Sequence, residues 1–223
     1  MRHGAAASRS VIRVEGEPAP VSTPEAHWGE VFRTKDVTAV SWYQADPVMS
    51  LRLLSEVVPR PRSVIDVGAG ASVLVDALLD ADFEDLTVLD VSDRALTVVR
   101  DRLADRAQQV AFVVADLLTW MPERQWDAWH DRAVFHFLVD PHDRAAYVTT
   151  ASGAVGPGGV VVVGSFALDG PDRCSGLATA RYDAASLADQ FGEDFRLERA
   201  EREVHHTPGG ADQAFTWAVL RRR

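Results

Sequence analysis

Apolar positions between residues 63 and 166 fall into two patterns. Short aliphatic runs such as Ser63-Val64-Ile65 and Leu86-Thr87-Val88-Leu89 have the length and β-branched content of buried strands. The pattern predicts strands at 63–67, 86–91, 110–115, 126–131 and 160–166, and helices over about 72–80, 93–105 and 142–155. Such alternation implies a parallel sheet. Ser92 is placed to cap the second of these helices. Gly156-Pro157-Gly158-Gly159 breaks the chain before Val160-Val161-Val162-Val163, a run suited to a central strand covered on both sides.

Two helices are expected upstream. Thr23 before Pro24 has the form of an N-cap followed by proline at the first helical position, and Trp28, Val31 and Phe32 then share a face. Asp46-Pro47 repeats the device, with Val48, Leu51, Leu54 and Val58 as the buried side and Pro59 and Pro61 as terminators. Downstream, a helix over 184–191 precedes segments 195–205 and 214–221, joined by Thr207-Pro208-Gly209-Gly210-Ala211-Asp212. That connection predicts an antiparallel C-terminal hairpin. The fold expected is α/β: seven strands, mostly parallel, with helices on both faces. Gly16, Pro18 and Pro20 break any period, so residues 1–21 read as a flexible arm, and 22–223 as one domain with a helical lid over 22–60.

Composition narrows the function. With 223 residues, 47% hydrophobic and 25% charged, the chain fits one globular domain with a short appendage. A net charge of −10 argues against nucleic acid as a partner, since that binding needs a basic face. Cys174 alone forms no intrachain disulfide and reads as a loop thiol in a reducing compartment. No stretch approaches the ~20 apolar residues that span a bilayer. The first residues lack a secretory apolar core, so a cytoplasmic protein without a membrane partner is expected.

The chemistry starts at Asp66-Val67-Gly68-Ala69-Gly70, which closes the first strand, and at Asp90, 20 residues beyond Gly70, which closes the second. Glycines at a strand mouth let the backbone turn sharply beside a ligand, and a carboxylate ending the next strand accepts ribose hydroxyls. A dinucleotide fits poorly. Val73 stands where a third glycine would pack helix on strand, and Asp66 would face diphosphate charge; it suits a ligand carrying an ammonium and a sulfonium. No Gly-Lys-Ser/Thr follows, so a P-loop is excluded.

Across most of 24–223 the chain resembles the class I S-adenosylmethionine-dependent methyltransferases. The resemblance implies a Rossmann-like sheet and S-adenosylmethionine as cofactor. It implies that Asp66, Gly68, Ala69 and Gly70 meet the amino-acid part, with Ser72 in place of a frequent third glycine and able to cap the next helix. Asp90 and Val91 match the ribose position; Asp116 matches the position that meets the adenine amino group, with Leu117 beside the ring. Structural alternatives are that Asp90 caps the helix opening at Ser92 and that Asp116 begins a turn. Trp28-Gly29-Glu30-Val31-Phe32-Arg33-Thr34-Lys35 and Ser41-Trp42-Tyr43-Gln44 are similar to the N-terminal signature of a branch that includes lysine methyltransferases of translation factors. That similarity implies a lid in which Trp28 and Trp42 enclose the cofactor. Aromatic faces attract a sulfonium, although both tryptophans could equally serve the core.

The fourth strand and its exit, 126–138, face the transferable methyl in this family and carry His130, Asp131 and His136. His130 is grouped with the cofactor residues. His136 is the first candidate for the base that takes the acceptor's proton, the competing account being an imidazole packed between Phe135 and Phe137 and donating to a backbone carbonyl. Asp131 is a second candidate, or a support for the cofactor or Arg132, and His205 a third, at the border of the acceptor pocket. His130-Asp131-Arg132-Ala133 stands where relatives acting on planar amide or nucleobase nitrogens carry Asn/Asp-Pro-Pro-aromatic, which disfavours such acceptors. No metal site is expected, because no closed zinc-type motif is present. The expected activity is methyl transfer to oxygen, nitrogen or sulfur of a small molecule. The alternatives are a protein lysine methyltransferase and a catalytically silent cofactor-binding module.

Overall fold

The computed structural model describes residues 23–58 and 63–223. The arm over 1–21 and the terminators Pro59 and Pro61 lie outside the described residues. Helix α1 (Pro24–Thr34) opens as its sequence requires: the Thr23 hydroxyl accepts from the Ala26 N–H at 3.2 Å, and Val31 and Phe32 are buried. Helix α2 (Val48–Val57) departs from expectation. Pro47 itself takes the cap position, Asp46 supplies no cap, and the buried face is Ser50, Leu53 and Leu54. Val48 is 58% exposed, while Leu54 and Val58 are buried as expected. The reason is polar: Ser50 turns inward to a histidine described below, and an apolar periodicity cannot register a buried hydroxyl.

The chain then runs β1 (Ser63–Val67), α3 (Leu74–Asp80), β2 (Asp85–Asp90), α4 (Asp93–Leu103), β3 (Val110–Val114), β4 (Trp126–Arg132), α5 (Pro141–Ala154) and β5 (Val155–Phe166). It continues through a two-stranded ribbon, β6 (Arg173–Cys174) and β7 (Leu177–Ala178), to α6 (Ala184–Asp189), β8 (Phe195–His206) and β9 (Asp212–Arg222). The seven-stranded sheet has the order β3-β2-β1-β4-β5-β9-β8. The first five strands are mutually parallel, and β9 runs antiparallel to both β5 and β8. Strand β8 is therefore parallel to the first five, and the expected hairpin is present.

Local differences have local causes. Helix α3 starts at Leu74, because Ser72 and Val73 still belong to the glycine turn. Helix α4 is capped by the Ser92 hydroxyl, as expected, but ends at Leu103. There Ala104 takes φ +51° and the chain tightens into a 3-10 helix over Ala104–Gln109. The Gly156–Gly159 segment does not end the pairing; β5 already pairs at Val155 with Trp126, and a bulge between Trp126 and Ala128 absorbs the extra residues. The ribbon and a 3-10 turn over Phe135–Phe137 have no periodic signature in the sequence.

Alternation along the strands divides the core. Val160 and Val162 pack with Leu53, Leu54 and Leu96 on one face, and Val161 and Val163 pack with Trp129, Tyr147 and Leu187 on the other. The strand order reverses at β1, with β2 on one side and β4 on the other, and opens a crevice at the carboxyl ends of the strands.

The rotated face of α2 is directly testable. Leu53→Ala should cost about 2–5 kcal/mol in chemical denaturation, as for other buried leucines. Val48→Ala should stay within about 0.5 kcal/mol, as for an exposed site. Equal costs would contradict the burial described.

Candidate functional site

At the carboxyl ends of β1 to β4 lies a cleft of about 480 Å³, roofed by α1 and the segment leading to α2. Its wall includes Trp28, Trp42, Asp66, Gly68, Ala69, Gly70, Ser72, Asp90, Val91, Asp116, Leu117 and His130. All twelve residues grouped above with the cofactor thus come together.

The glycine turn is shaped by sterics. Gly68 has φ +58° and Gly70 φ +54°. A Cβ on Gly68 would lie 2.0 Å from Cγ2 of Val134, and one on Gly70 3.1 Å from the Phe32 ring. The turn is braced by Asp90, whose carboxylate accepts from the N–H groups of Gly70 and Ser92, each at 2.8 Å. Burial pushes the Asp90 carboxyl up to about 6, against the opposing pull of those two N–H groups. Gly70 and Ser92 donate to different oxygens, and the carboxylate keeps acceptor capacity beyond its backbone donors. Asp116 accepts from the Leu118 N–H at 2.9 Å, so it does begin a turn, and it also lines the cleft. The Ser72 hydroxyl accepts from the Leu74 N–H at 3.0 Å, which caps α3 as expected. Arg102 binds the carbonyls of Ala71 and Ser72 from outside.

Asp66 is held from the neighbouring strand. Its Oδ1 lies 2.7 Å from Nδ1 of His130, its register partner on β4, and the Nε2 of that ring is 2.9 Å from the Ser50 hydroxyl on α2. With Nδ1–H donating to the carboxylate, Nε2 accepts from serine, and one tautomer satisfies the chain. On the roof, Trp28 sits edge-on to Trp42, with centroids 5.7 Å apart, and to Phe137 at 5.2 Å. Arg94 donates to the Phe32 carbonyl at 2.9 Å and ties α1 to α4.

The structure does not bring the proposed catalytic residues to the cleft. His136 is fully buried and stacked 4.2 Å from the Phe166 ring, with neither ring nitrogen bonded among the described residues. Burial, with the Arg132 charge, lowers it to about 3, so it is a neutral core ring. The competing account of His136 is therefore right that the ring is packed in the core and against Phe137. Its other ring neighbours are Phe166 and Phe215 rather than Phe135, and it donates to no carbonyl among the described residues. Asp131 is also fully buried. It accepts from the Val134 and Phe135 N–H groups at 2.9 and 3.1 Å and from the Tyr147 hydroxyl at 2.6 Å. It closes the exit of β4, touches neither cleft nor Arg132, and burial pushes it up to about 6. His205 donates Nε2–H to the Ser41 carbonyl at 2.8 Å, and so pins the roof segment from β8 without lining the cleft. Burial and the Arg132 charge lower its pKa.

Ser50 and Arg132, which do line the cleft, were not singled out by sequence. The period-two alternation of β4 offers a signal, since His130 and Arg132 share the face opposite Asp131. Cys174 also lines the cleft, from β6; it is buried, and burial raises its thiol pKa. Among the described residues, no cluster of three or more His, Cys, Asp or Glu is placed to hold a metal ion, and no helix is long and apolar enough to cross a membrane.

A parallel sheet reversed at β1, a positive-φ glycine turn and carboxylates at the ends of β1 and β2 with Asp116 just beyond β3 define the class I S-adenosylmethionine-dependent methyltransferase fold. Residues 64–159 match the family model described as a methyltransferase domain. Trans-aconitate 2-methyltransferase of Methylobacterium radiotolerans is 38% identical over 105 residues, 46% of this chain and 37% of that protein. The eEF1A lysine and N-terminal methyltransferase of Xenopus laevis is 32% identical over 129 residues, 57% of this chain and 18% of that protein. The chain therefore aligns with well under half the length of these relatives. A solved S-adenosylmethionine-dependent methyltransferase from Anabaena variabilis superposes with a TM-score of 0.70 at 16% identity, covering 89% of this chain and 93% of that one. The 1,6-didemethyltoxoflavin-N1-methyltransferase of Burkholderia thailandensis gives 0.70 at 17% identity over 92% and 93%. At these identities the likeness is one of fold.

The turn predicts its own fragility. Gly68→Ala adds both a strained φ and a collision with Val134, and should destabilise by about 2–4 kcal/mol in thermal or chemical unfolding. Adding Val134→Ala should recover only part of that loss, because the φ strain remains. Full recovery would show that the collision alone restricts residue 68.

Proposed function

We propose that the chain transfers the methyl group of S-adenosylmethionine to oxygen, nitrogen or sulfur of a small-molecule acceptor. The observation that carries this reading is the convergence of the glycine turn, Asp66, Asp90 and Asp116 on one cleft. The residues suit the cofactor. The positive-φ glycine turn presents bare backbone to the cleft, and Asp66 offers a carboxylate for an ammonium. Asp90 keeps acceptor capacity for ribose hydroxyls, Asp116 for an adenine amino group, and Leu117 an apolar surface for the ring. Val91 and Ala69 line the passage between them. When bound, S-adenosylmethionine supplies an electrophilic methyl on a sulfonium.

The chain's own part is positioning and exclusion of water. His130 and Ser50 keep Asp66 oriented, and the Trp28–Trp42 pair forms an aromatic roof over the cleft from within residues 23–58, the described part of the lid. Rings of this kind favour a neighbouring cation. With His136, Asp131 and His205 committed elsewhere, water or the acceptor's own acidity disposes of the proton, and catalysis rests on proximity. The small-molecule acceptor is favoured by the aromatic-lined cleft and by the trans-aconitate 2-methyltransferase among the relatives. A protein lysine acceptor is the second reading, supported by the Trp28 and Ser41-Trp42-Tyr43 signature and the eEF1A methyltransferase match.

Incubation with methyl-labelled S-adenosylmethionine and a fractionated lysate tests both. Label should enter the small-molecule fraction, and Asp90→Asn should cut the rate by about tenfold or more, the loss of a charge-assisted acceptor. Label confined to protein would favour the lysine reading. Label in neither fraction, from protein shown to bind the cofactor, would favour the silent module.

A further inference from the structure

Arg132 ends β4 and is one of the few basic groups on the cleft wall. Its guanidinium is buried and held on one side only. Nη1 donates to the Trp42 carbonyl at 2.9 Å, and the guanidinium carbon stands 4.8 Å over the Phe215 ring. Nε and Nη2 are buried and have no hydrogen-bond partner among the described residues. These two nitrogens form one edge of the guanidinium, with N–H bonds parallel and spaced to meet both oxygens of a carboxylate.

The surroundings do not already neutralise that edge. Glu203 is the acidic side chain in electrostatic reach, but its two oxygens accept from Gln44 and Trp217, at 2.9 and 2.8 Å. The other groups facing Arg132 are the Cys174 thiol and the His136 and His205 rings, all shifted toward their neutral forms. A buried cation with two unmet donors is destabilising unless something meets them.

We propose that Arg132 is a specificity-determining residue that binds a carboxylate of the methyl acceptor, so that the substrate is an apolar carboxylic acid oriented by its anionic end. The inference rests on the methyltransferase reading for the location of the transferred methyl. Carboxylate is favoured over phosphate because a single arginine lines a cleft that also carries Asp66, Asp90, Asp116 and Asp143, which repel a dianion more than a monoanion. The apolar body would lie against Trp28, Trp42 and Phe137 on the same wall. Arg132 touches the acceptor's handle, and the methylated atom lies elsewhere on the acceptor.

Calorimetric titration of the full chain with benzoate, trans-cinnamate, their primary amides and phenyl phosphate, with and without saturating S-adenosylhomocysteine, tests this. At least one acid should bind about tenfold or more tighter than its amide, the scale of a charge-assisted bidentate pair. Arg132→Gln should erase that preference. Arg132→Lys, which keeps the charge and loses the fork, should retain a small part of it, with S-adenosylhomocysteine affinity within about threefold of the parent in both variants. Equal binding of acids and amides by the parent protein, or binding of phenyl phosphate as tight as the acids, would overturn the proposal. The amide comparison needs no variant, so a variant that fails to fold does not decide the outcome. Absence of S-adenosylhomocysteine binding would instead remove the underlying reading, and the titration without it judges the carboxylate preference separately.

Discussion

The contact between Asp66 and His130 organises the site. These residues are register partners on adjacent parallel strands, both buried, and their side chains meet at 2.7 Å. A carboxylate this deep is costly unless its charge is met, and the imidazole meets it while leaving its second nitrogen for Ser50. Three elements, β1, β4 and α2, are thereby fixed to one another at the mouth of the crevice. Remove the ring, and both the carboxylate and the roof helix lose their bearing. The inward turn of Ser50, and with it the rotation of α2, follows from this one chain of hydrogen bonds.

From that anchor the cleft is built by division of labour among the acidic side chains. Asp66 faces the first turn, Asp90 braces Gly70 while keeping lone pairs free, and Asp116 stands at the end of the third strand. Asp131, though adjacent to His130 in sequence, points to the opposite face and spends its oxygens on Val134, Phe135 and Tyr147. Its work is to fold the β4 exit, which places Val134 against Gly68 and so shapes the glycine turn from the far side.

Sequence was informative where backbone geometry and chemistry coincide. Gly68 and Gly70 are needed for a positive φ, and Asp66 and Asp90 mark the ends of buried runs, so residue type and position carry the role together. It was misleading at His136, Asp131 and His205. A histidine or aspartate near a reactive strand says nothing of which way it points, and here one stacks on Phe166, one closes a turn and one pins Ser41. The alternation of β4 separates Asp131 from His130 and Arg132, but His136 lies in a 3-10 turn that has no such period. Ser50 was not noticed and Arg132 was given no role of its own, because a buried hydroxyl and a single arginine are not motifs; only their partners, or the lack of them, bear on what they do.

The central claim is that this cleft takes S-adenosylmethionine through Asp66, Asp90 and Asp116. Titration calorimetry with S-adenosylhomocysteine and with NAD, at several pH values between 5 and 8, tests it most directly. S-adenosylhomocysteine should bind at a single site and NAD should not. Its affinity should be flat above pH ~7 and fall by up to about tenfold per unit below the Asp90 value of about 6, because the protonated carboxyl no longer accepts from both ribose hydroxyls. Binding of NAD without S-adenosylhomocysteine would contradict the account.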